Sequence, residues 1–224
     1  MLINADFAQP AIVASHDYQW IPSPQRDVER VMLDRVGAEH ARATSIVRYA
    51  ANAHFPRHSH PGGEEILVLA GSFSEGEDHY PAGWYLRNPP GSSHLPYSRD
   101  GATLFVKLQQ MPAHQQRRVR IDTSDAATWH RVGSREVCPL FSDETEQVCL
   151  QRIGAHERPL GDFANGTELL VLGGDVVVAG RSYGNGSWMR LPAGQCPEIV
   201  AGVQGATVYL KTGHLVDASV MASR

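Results

Sequence analysis

The chain has 224 residues and only three cysteines, which follow neither a metal-binding nor a disulfide pattern. Cys138, Cys149 and Cys196 form no Cys-x-x-Cys motif, and an odd number of thiols cannot all pair within one chain. We therefore expect reduced, half-buried cysteines. This composition excludes a secreted, disulfide-linked scaffold and favours a cytoplasmic protein.

Segments that would direct the chain to a membrane are also missing. No apolar run approaches the ~20 residues that cross a bilayer. The N-terminal residues hold no basic region followed by an apolar core. We therefore expect no signal peptide and no membrane partner.

An excess of positive charge is absent as well. The net charge is −4 and the pI is about 6.2. A basic cluster at residues 115–120 contains Arg117, Arg118 and Arg120. In an acidic chain we expect this cluster to be a solvated linker or an edge strand, and nucleic acid is not an expected partner.

Long helical patterns are scarce. Few stretches keep a helical apolar period over several turns. The 21 glycines and 14 prolines instead separate short alternating runs, such as residues 42–49, 65–69, 103–108 and 175–179. This pattern predicts an all-β fold.

Histidine is present in a pattern typical of a metal site. His58 and His60 are two residues apart, so in a strand both side chains project to one face. A Pro-Gly-Gly turn leads to Glu64, and His94 follows a second Gly/Pro turn. Three imidazoles and one carboxylate suit a divalent ion and leave coordination positions for water or a substrate. We therefore predict a metal site formed by His58, His60, Glu64 and His94.

An internal repeat divides the chain into two halves. Residues 65–71 match residues 168–174 at an offset of 103, and residues 101–107 match residues 205–211. We therefore expect two tandem barrels. The first is an N-terminal metal-binding domain of residues 1–112, and the second is a C-terminal domain of residues 113–224.

The second half has lost the four candidate ligands. At the offset of 103 residues, the positions of His58, His60, Glu64 and His94 are taken by Gly161, Phe163, Thr167 and Pro197. None of these side chains binds a divalent ion well. We therefore expect a C-terminal barrel without metal, in which Phe163 fills the vacated pocket.

The repeat also distinguishes two adjacent carboxylates. Glu65 recurs as Glu168, where there is no metal site to serve, whereas Glu64 is lost together with the histidines. Neighbouring residues of a strand point to opposite faces. We therefore assign Glu64 to the metal and Glu65 to a structural role.

The two histidine-containing segments resemble the two motifs of the cupin family. The corresponding residues are Asn52, His58, His60, Glu64 and Gly71 in the first motif, and Gly83, Pro89, Gly91, His94 and Ser98 in the second. Asn52 and Ser98 replace a Gly and an Asn of the family pattern, at turn or strand positions rather than at ligands. More narrowly, residues 55–71 and 87–94 look like the cupin domain of ChrR-type anti-sigma factors, and this resemblance extends over residues 18–112.

The resemblance implies double-stranded β-helix, or jelly-roll, barrels and one divalent ion. Zinc is favoured, with iron, manganese or nickel as alternatives. The implied function is a zinc-binding sensor or regulatory protein, or a protein that binds a small molecule. The alternative is an Fe- or Mn-dependent dioxygenase acting on a diketone or an aromatic ketone. Whether the chain is an enzyme stays open, as does a metal that serves only to hold the barrel together.

The resemblance does not extend to sigma-factor binding. ChrR-type proteins bind their sigma factor through a separate N-terminal helical zinc domain with His and Cys ligands. Residues 1–17 are too short for such a domain, and no cysteine precedes Cys138. A sigma factor is therefore not an expected partner, and a homodimer through barrel edges, which cupins often form, is left open.

Overall fold

The computed structural model describes residues 1–38, 41–195 and 197–215. Cys196 and the end of the predicted C-terminal domain, residues 216–224, lie outside the described residues. Cys138 and Cys149 are free thiols, and Cys138 is buried.

The described chain is all-β, which confirms the predicted fold class. It contains strands and two 3-10 turns, Ser15–Asp17 and Ala126–Thr128, and none of its described residues forms an α-helix. The strands are β1 (Leu2–Ile3), β2 (Ala11–Val13), β3 (Ile21–Pro22), β4 (Val28–Val36), β5 (Arg42–Tyr49), β6 (Ala53–His54), β7 (His58–His60), β8 (Glu64–Glu75), β9 (Asp78–Pro81), β10 (Trp84–Asn88), β11 (Ser92–His94), β12 (Pro96–Ser98), β13 (Ala102–Leu108), β14 (Val119–Asp122), β15 (His130–Val132), β16 (Arg135–Ser142), β17 (Gln147–Ile153), β18 (Thr167–Val178), β19 (Arg181–Gly184), β20 (Trp188–Leu191) and β21 (Ile199–Thr212). Within the described ranges, no helix has the length and apolarity needed to span a bilayer.

The first of two units comprises Met1–Ala5 and Gln19–Ser124. Its main sheet has the strand order β1-β4-β5-β13-β8-β10-β14, and β7 pairs separately with β11. Every strand pair in this unit is antiparallel.

Apolar side chains from the middle strands fill the core of the first unit. Ile66 and Val68 of β8 pack there with Leu104 and Val106 of β13, and each is at most 8% exposed. Alternate residues of a strand share a face, so odd-numbered residues next to these, such as Leu67 of β8 and Phe105 of β13, lie on the opposite side of the sheet. Glu64, the candidate ligand on β8, shares the core face with Ile66 and Val68.

The second unit comprises Asp6–Tyr18 and the residues from Asp125 onward. Its sheet has the order β15-β16-β17-β21-β18-β20-β2, so the edge strand β2 comes from near the N-terminus. Strand β20 runs beside β18 in the register that β10 adopts beside β8, at the 103-residue offset of the sequence repeat. The division into folding domains at residue 112 stays a prediction.

A glycine permits a close backbone approach at the same place in each unit. Gly71 has a φ of +70°, and a Cβ placed on it would lie 2.0 Å from the carbonyl oxygen of Gly101. Gly174, its counterpart in the repeat, has a φ of +66° and would bring a Cβ to 2.1 Å from the carbonyl oxygen of Gly205. Only glycine fits such a position without moving backbone atoms.

We therefore predict that Gly71→Ala costs far more stability than Gly76→Ala. Gly76 also has a positive φ, +65°, but a Cβ placed on it would meet no other atom within 4 Å. Its replacement should lower the free energy of unfolding by about 1 kcal/mol, through backbone conformation alone. Gly71→Ala should cost roughly 3 kcal/mol or more, because a backbone clash is added. Urea unfolding of both variants checks this, and equal losses would show that the approach of Gly101 imposes no constraint.

Candidate metal centre

Two short strands present the three histidines. Strand β7 carries His58 and His60, which share a face because they are two residues apart. Strand β11 pairs antiparallel with β7 and places His94 directly opposite His58. After the turn that follows β7, the first residue of β8 is Glu64.

The structure brings all four predicted residues together. The Nε2 atoms of His60 and His94 lie 3.0 Å apart, and those of His94 and His58 lie 3.3 Å apart. Glu64 Oε2 lies 3.5 Å from His60 Nε2 and 3.6 Å from His94 Nε2. His60, Glu64 and His94 are buried, and His58 is partly exposed.

These separations fit ligands around one divalent ion. Two ligands each about 2.1 Å from an ion lie about 3.0 Å apart at a right angle and about 3.4 Å apart at a tetrahedral angle. The three imidazoles form a group that could hold a metal ion. Imidazole nitrogens with a carboxylate oxygen suit several divalent metals, so the donors do not determine which metal is bound.

Hydrogen bonds on the far side of two imidazoles leave their Nε2 atoms free to face the site. His58 Nδ1 lies 2.8 Å from the carbonyl oxygen of Pro56, and His94 Nδ1 lies 2.7 Å from Glu75 Oε2. A carbonyl or carboxylate oxygen can only accept, so both Nδ1 atoms donate. In each neutral ring, the Nε2 lone pair is then available as a ligand.

Glu75, Asn88 and Arg120 form an outer layer that the sequence analysis missed. Asn88 Nδ2 donates to Glu64 Oε2 over 3.0 Å. Arg120 Nη2 donates to Asn88 Oδ1 over 2.6 Å and also to Glu75 Oε1. One guanidinium therefore connects the partners of Glu64 and His94, which fixes both candidate ligands.

The internal sequence repeat could have predicted a role at the site for two of these residues, Glu75 and Asn88. At the offset of 103, Glu75 corresponds to Val178 and Asn88 to Leu191, so both polar groups are lost together with the candidate ligands. Arg120 lies beyond the matched segments and had no counterpart to compare. The basic cluster was expected to be a linker or an edge strand. The end of the cluster belongs to β14, which is an edge strand. Arg120 in this strand is only partly exposed and contacts Glu75.

The electrostatics of the site keep Glu75 ionised. Burial alone would raise the pKa of Glu75, but the hydrogen bond with His94 and the charge of Arg120 outweigh burial and lower the pKa from 4.5 to about 2. Burial would likewise lower the pKa of His94, yet the hydrogen bond to Glu75 and the charge of Glu64 raise it. Burial lowers the pKa of His60, which favours its neutral, metal-binding form.

Glu65 points away from this cluster. Its Oε2 accepts a hydrogen bond from Arg87 Nη1 over 3.2 Å, and the two residues are 3% and 0% exposed. His54, the other histidine near the motif, is exposed, and its ring stacks on Tyr97 with centroids 5.6 Å apart. Neither residue joins the cluster.

A cavity of about 750 Å³ adjoins the cluster in the first unit. The three histidines and Glu64 form part of its wall. Most of the remaining wall is apolar and includes Tyr49, Phe55, Ile66, Phe73, Leu104 and Val106. A volume of this size is typical of sites that bind small organic molecules.

The corresponding positions of the second unit carry no comparable donors. Phe163 packs against the apolar core of this unit, and a Cβ added to Gly161 would lie 3.2 Å from Leu210. In the described part of the second unit, no three His, Cys, Asp or Glu side chains converge on one point. The expectation of a metal-free second barrel stays a prediction.

Comparison with known families finds one match, in the first half of the chain. Residues 8–112 match the family model described as the ChrR Cupin-like domain. No curated protein sequence matches the chain.

Several solved structures share the fold of this chain. A protein from Nostoc punctiforme described as a putative dioxygenase has a TM-score of 0.73 at 14% identity, covering 93% of this chain and 84% of its own. A bacterial pirin from Escherichia coli in complex with nickel(II) has a TM-score of 0.69 at 13% identity. This match covers 91% of this chain and 98% of the pirin chain. Oxalate decarboxylase from Bacillus subtilis, with Mn(II) centres, has a TM-score of 0.61 at 11% identity. This match covers 91% of this chain and 77% of the decarboxylase chain. At these identities the likeness shows the fold alone, and with the family match it supports the cupin superfamily.

We predict that Glu64→Gln and Glu65→Gln have different effects. Glu64→Gln removes the anionic donor, so metal affinity should fall at least about 100-fold. Glu65→Gln weakens a buried ion pair with Arg87 on the other face, so it should cost roughly 3 kcal/mol of stability. The metal content of folded Glu65→Gln protein should be unchanged. Chelator competition and thermal unfolding measure the two effects, and equal losses of metal would contradict the assignment.

We also predict that Glu75→Gln weakens metal binding about 10- to 100-fold, because His94 loses a charged acceptor that fixes its ring. The exposed neighbour Glu77 provides the matched control, and Glu77→Gln should change the affinity less than about twofold. The same chelator competition applies to both variants. An unchanged affinity in folded Glu75→Gln protein would show that the hydrogen bond to His94 does not support the site.

Proposed function

We propose that the chain is a tandem cupin whose first barrel holds one divalent metal ion and uses it to bind and oxidise a small organic molecule. The observation that carries the proposal is the position of the donor cluster in the wall of the 750 Å³ cavity. A metal that only held the barrel together would need no adjoining space. A cavity with largely apolar walls beside the donors instead favours a ligand that reaches the metal.

The residues proposed to hold the ion are His58, His60, Glu64 and His94. Four protein donors leave one or two positions of a five- or six-coordinate ion open toward the cavity. A bound Fe(II) or Mn(II) ion would supply redox chemistry toward dioxygen, whereas Zn(II) would supply a Lewis acid.

The chain's own groups keep this centre in its metal-binding state. Glu75 keeps a proton on His94 Nδ1, and the Pro56 carbonyl keeps one on His58 Nδ1. Arg120 holds Glu75 and Asn88 in place. The apolar walls exclude water from a bound ligand and strengthen every electrostatic interaction at the centre.

The names of the structural neighbours favour a metal-dependent reaction. One is described as a putative dioxygenase, and two others contain nickel(II) or Mn(II). These names belong to distant proteins, so they support the reaction class and the choice of metals to test. Diketones and aromatic ketones are the first substrates we propose to test.

A zinc-loaded sensor is the second candidate function. The observation that favours it is the match of residues 8–112 to the ChrR Cupin-like domain. In this alternative the cavity binds an effector without converting it, and the chain acts on a regulatory partner.

The first test is metal content. Protein purified without added metal should contain about one ion per chain, because only the first barrel carries the ligand set. His60→Ala should lose that ion, whereas His114→Ala, which changes an exposed histidine outside the cluster, should retain it. Elemental analysis measures all three proteins. An ion retained by folded His60→Ala would contradict the proposed site.

The second test separates the two functions. Protein loaded anaerobically with Fe(II) or Mn(II) should consume dioxygen when a 1,3-diketone or an aromatic ketone is added, and His60→Ala should not. Tightly bound zinc, ligand binding without dioxygen uptake and co-purification with a transcription factor would favour the sensor instead.

A further inference from the structure

Two arginines project into the same cavity as the candidate metal ligands. Arg30 and Arg35 both belong to β4 and both line the cavity. They are five residues apart, so a regular strand would point them to opposite faces. The register of β4 against β5 shifts between Met32 and Asp34, and such a bulge returns later residues to the other face. The irregularity therefore places both guanidiniums on the cavity side.

Neither arginine has an anionic partner among the described residues. Arg30 Nε is buried and has no hydrogen-bond partner. Arg35 is 7% exposed, and its guanidinium donates to the backbone carbonyl of Ala38, which carries no charge. The adjacent carboxylate, Asp34, lies 3.8 Å from Arg42 instead.

The two positive charges oppose each other. Burial, and then the charge of Arg35, lower the pKa of Arg30. Buried charges are ordinarily paired, because an unpaired charge in an apolar environment is costly. A cavity whose wall holds two guanidiniums without a carboxylate partner among the described residues is therefore complementary to an anion.

The strand register sets the distance between the arginines and the metal site. Arg35 lies opposite Ala43, Ala43 opposite Leu108, and Leu108 opposite Glu64. Three sheet spacings of about 4.8 Å separate Arg35 from Glu64 along the sheet, or about 14 Å.

Apart from Ser45, the wall between the two ends is apolar. Arg30 lies opposite Val47, and Val47 lies opposite Leu104. Both of these apolar residues line the cavity, as does Leu108. A ligand that touches both ends would therefore have a charged head, an apolar body and a second polar end.

We propose that this cavity binds an apolar organic acid, with its oxyanion on Arg30 and Arg35 and its opposite end directed at the histidine cluster. Guanidiniums bind carboxylates and phosphate esters through the same paired hydrogen bonds, so the shared chemistry is an oxyanion on an apolar body. The contact at the histidine end rests on the proposed function, but the contact at the arginines does not.

The test is calorimetric titration of the full chain with three probes that share a phenyl group. 4-Phenylbutanoate carries a carboxylate, phenyl phosphate carries a phosphate ester, and 4-phenylbutanamide is neutral. We expect at least one anion to bind about tenfold or more tightly than the amide. The preference should shrink when salt is raised from about 50 mM to about 300 mM.

Variants locate the bound anion. Arg30→Gln and Arg35→Gln should each weaken anion binding about tenfold and leave amide binding unchanged. Arg48→Gln is the matched control, because Arg48 belongs to the same sheet but pairs with the exposed Glu29 over 2.6 Å. It should change anion binding less than about twofold. Arg35→Lys keeps the charge and provides a second variant if Arg35→Gln does not fold.

Each titration is repeated with metal-loaded and chelator-treated protein. If the wild-type protein fails to bind supplied metal but still shows an anion preference that depends on Arg30 and Arg35, this inference is supported and the proposed function is contradicted. A folded, metal-binding protein would overturn the inference if the acid and the amide bound equally. It would also overturn it if neither anion bound, or if both arginine variants bound anions as well as the wild type does.

Discussion

The first unit depends on holding three imidazole nitrogens and one carboxylate oxygen close together inside an apolar barrel. Burying these four donor atoms so close together costs free energy unless the imidazole protons lie on the Nδ1 atoms, which face away, and a cation binds between the donors. Glu75 and the Pro56 carbonyl accept the Nδ1 protons of His94 and His58. Arg120 holds Glu75 and Asn88, and Asn88 in turn holds Glu64. Strand β14 thus contributes the residue that connects two of the candidate ligands to one support.

Side chains alternate along β8, so a candidate metal ligand and a structural carboxylate lie on opposite faces of the sheet. Glu64 faces the cavity, whereas the next residue, Glu65, faces the opposite side and pairs with Arg87. On the cavity side, the donor cluster and two arginines line one largely apolar wall, and strands β5 and β13 separate Arg35 from Glu64. A small acid that spans this wall would use all three features, which is why the proposed chemistry and the proposed ligand class concern the same space.

Much of this arrangement follows from the sequence. Alternation and turn residues predicted the all-β class, and the spacing of His58, His60, Glu64 and His94 predicted that they would meet. The repeat separated Glu64 from Glu65 because only one of them recurs. The outer layer and the cavity arginines were not predicted. Arg120 reaches the site through the pairing of β14 with β10, and Arg30 and Arg35 share a face through a bulge. Long-range pairing and a one-residue register shift leave no local pattern in a sequence.

The most direct test of the central claim is an anomalous difference map, recorded at the absorption edge of the metal found in protein purified without added metal. The account predicts one peak per chain, at about 2.1 Å from the Nε2 atoms of His58, His60 and His94 and about 2.0–2.2 Å from a carboxylate oxygen of Glu64. The absence of a peak among these four side chains, or a peak in the second unit, would contradict it.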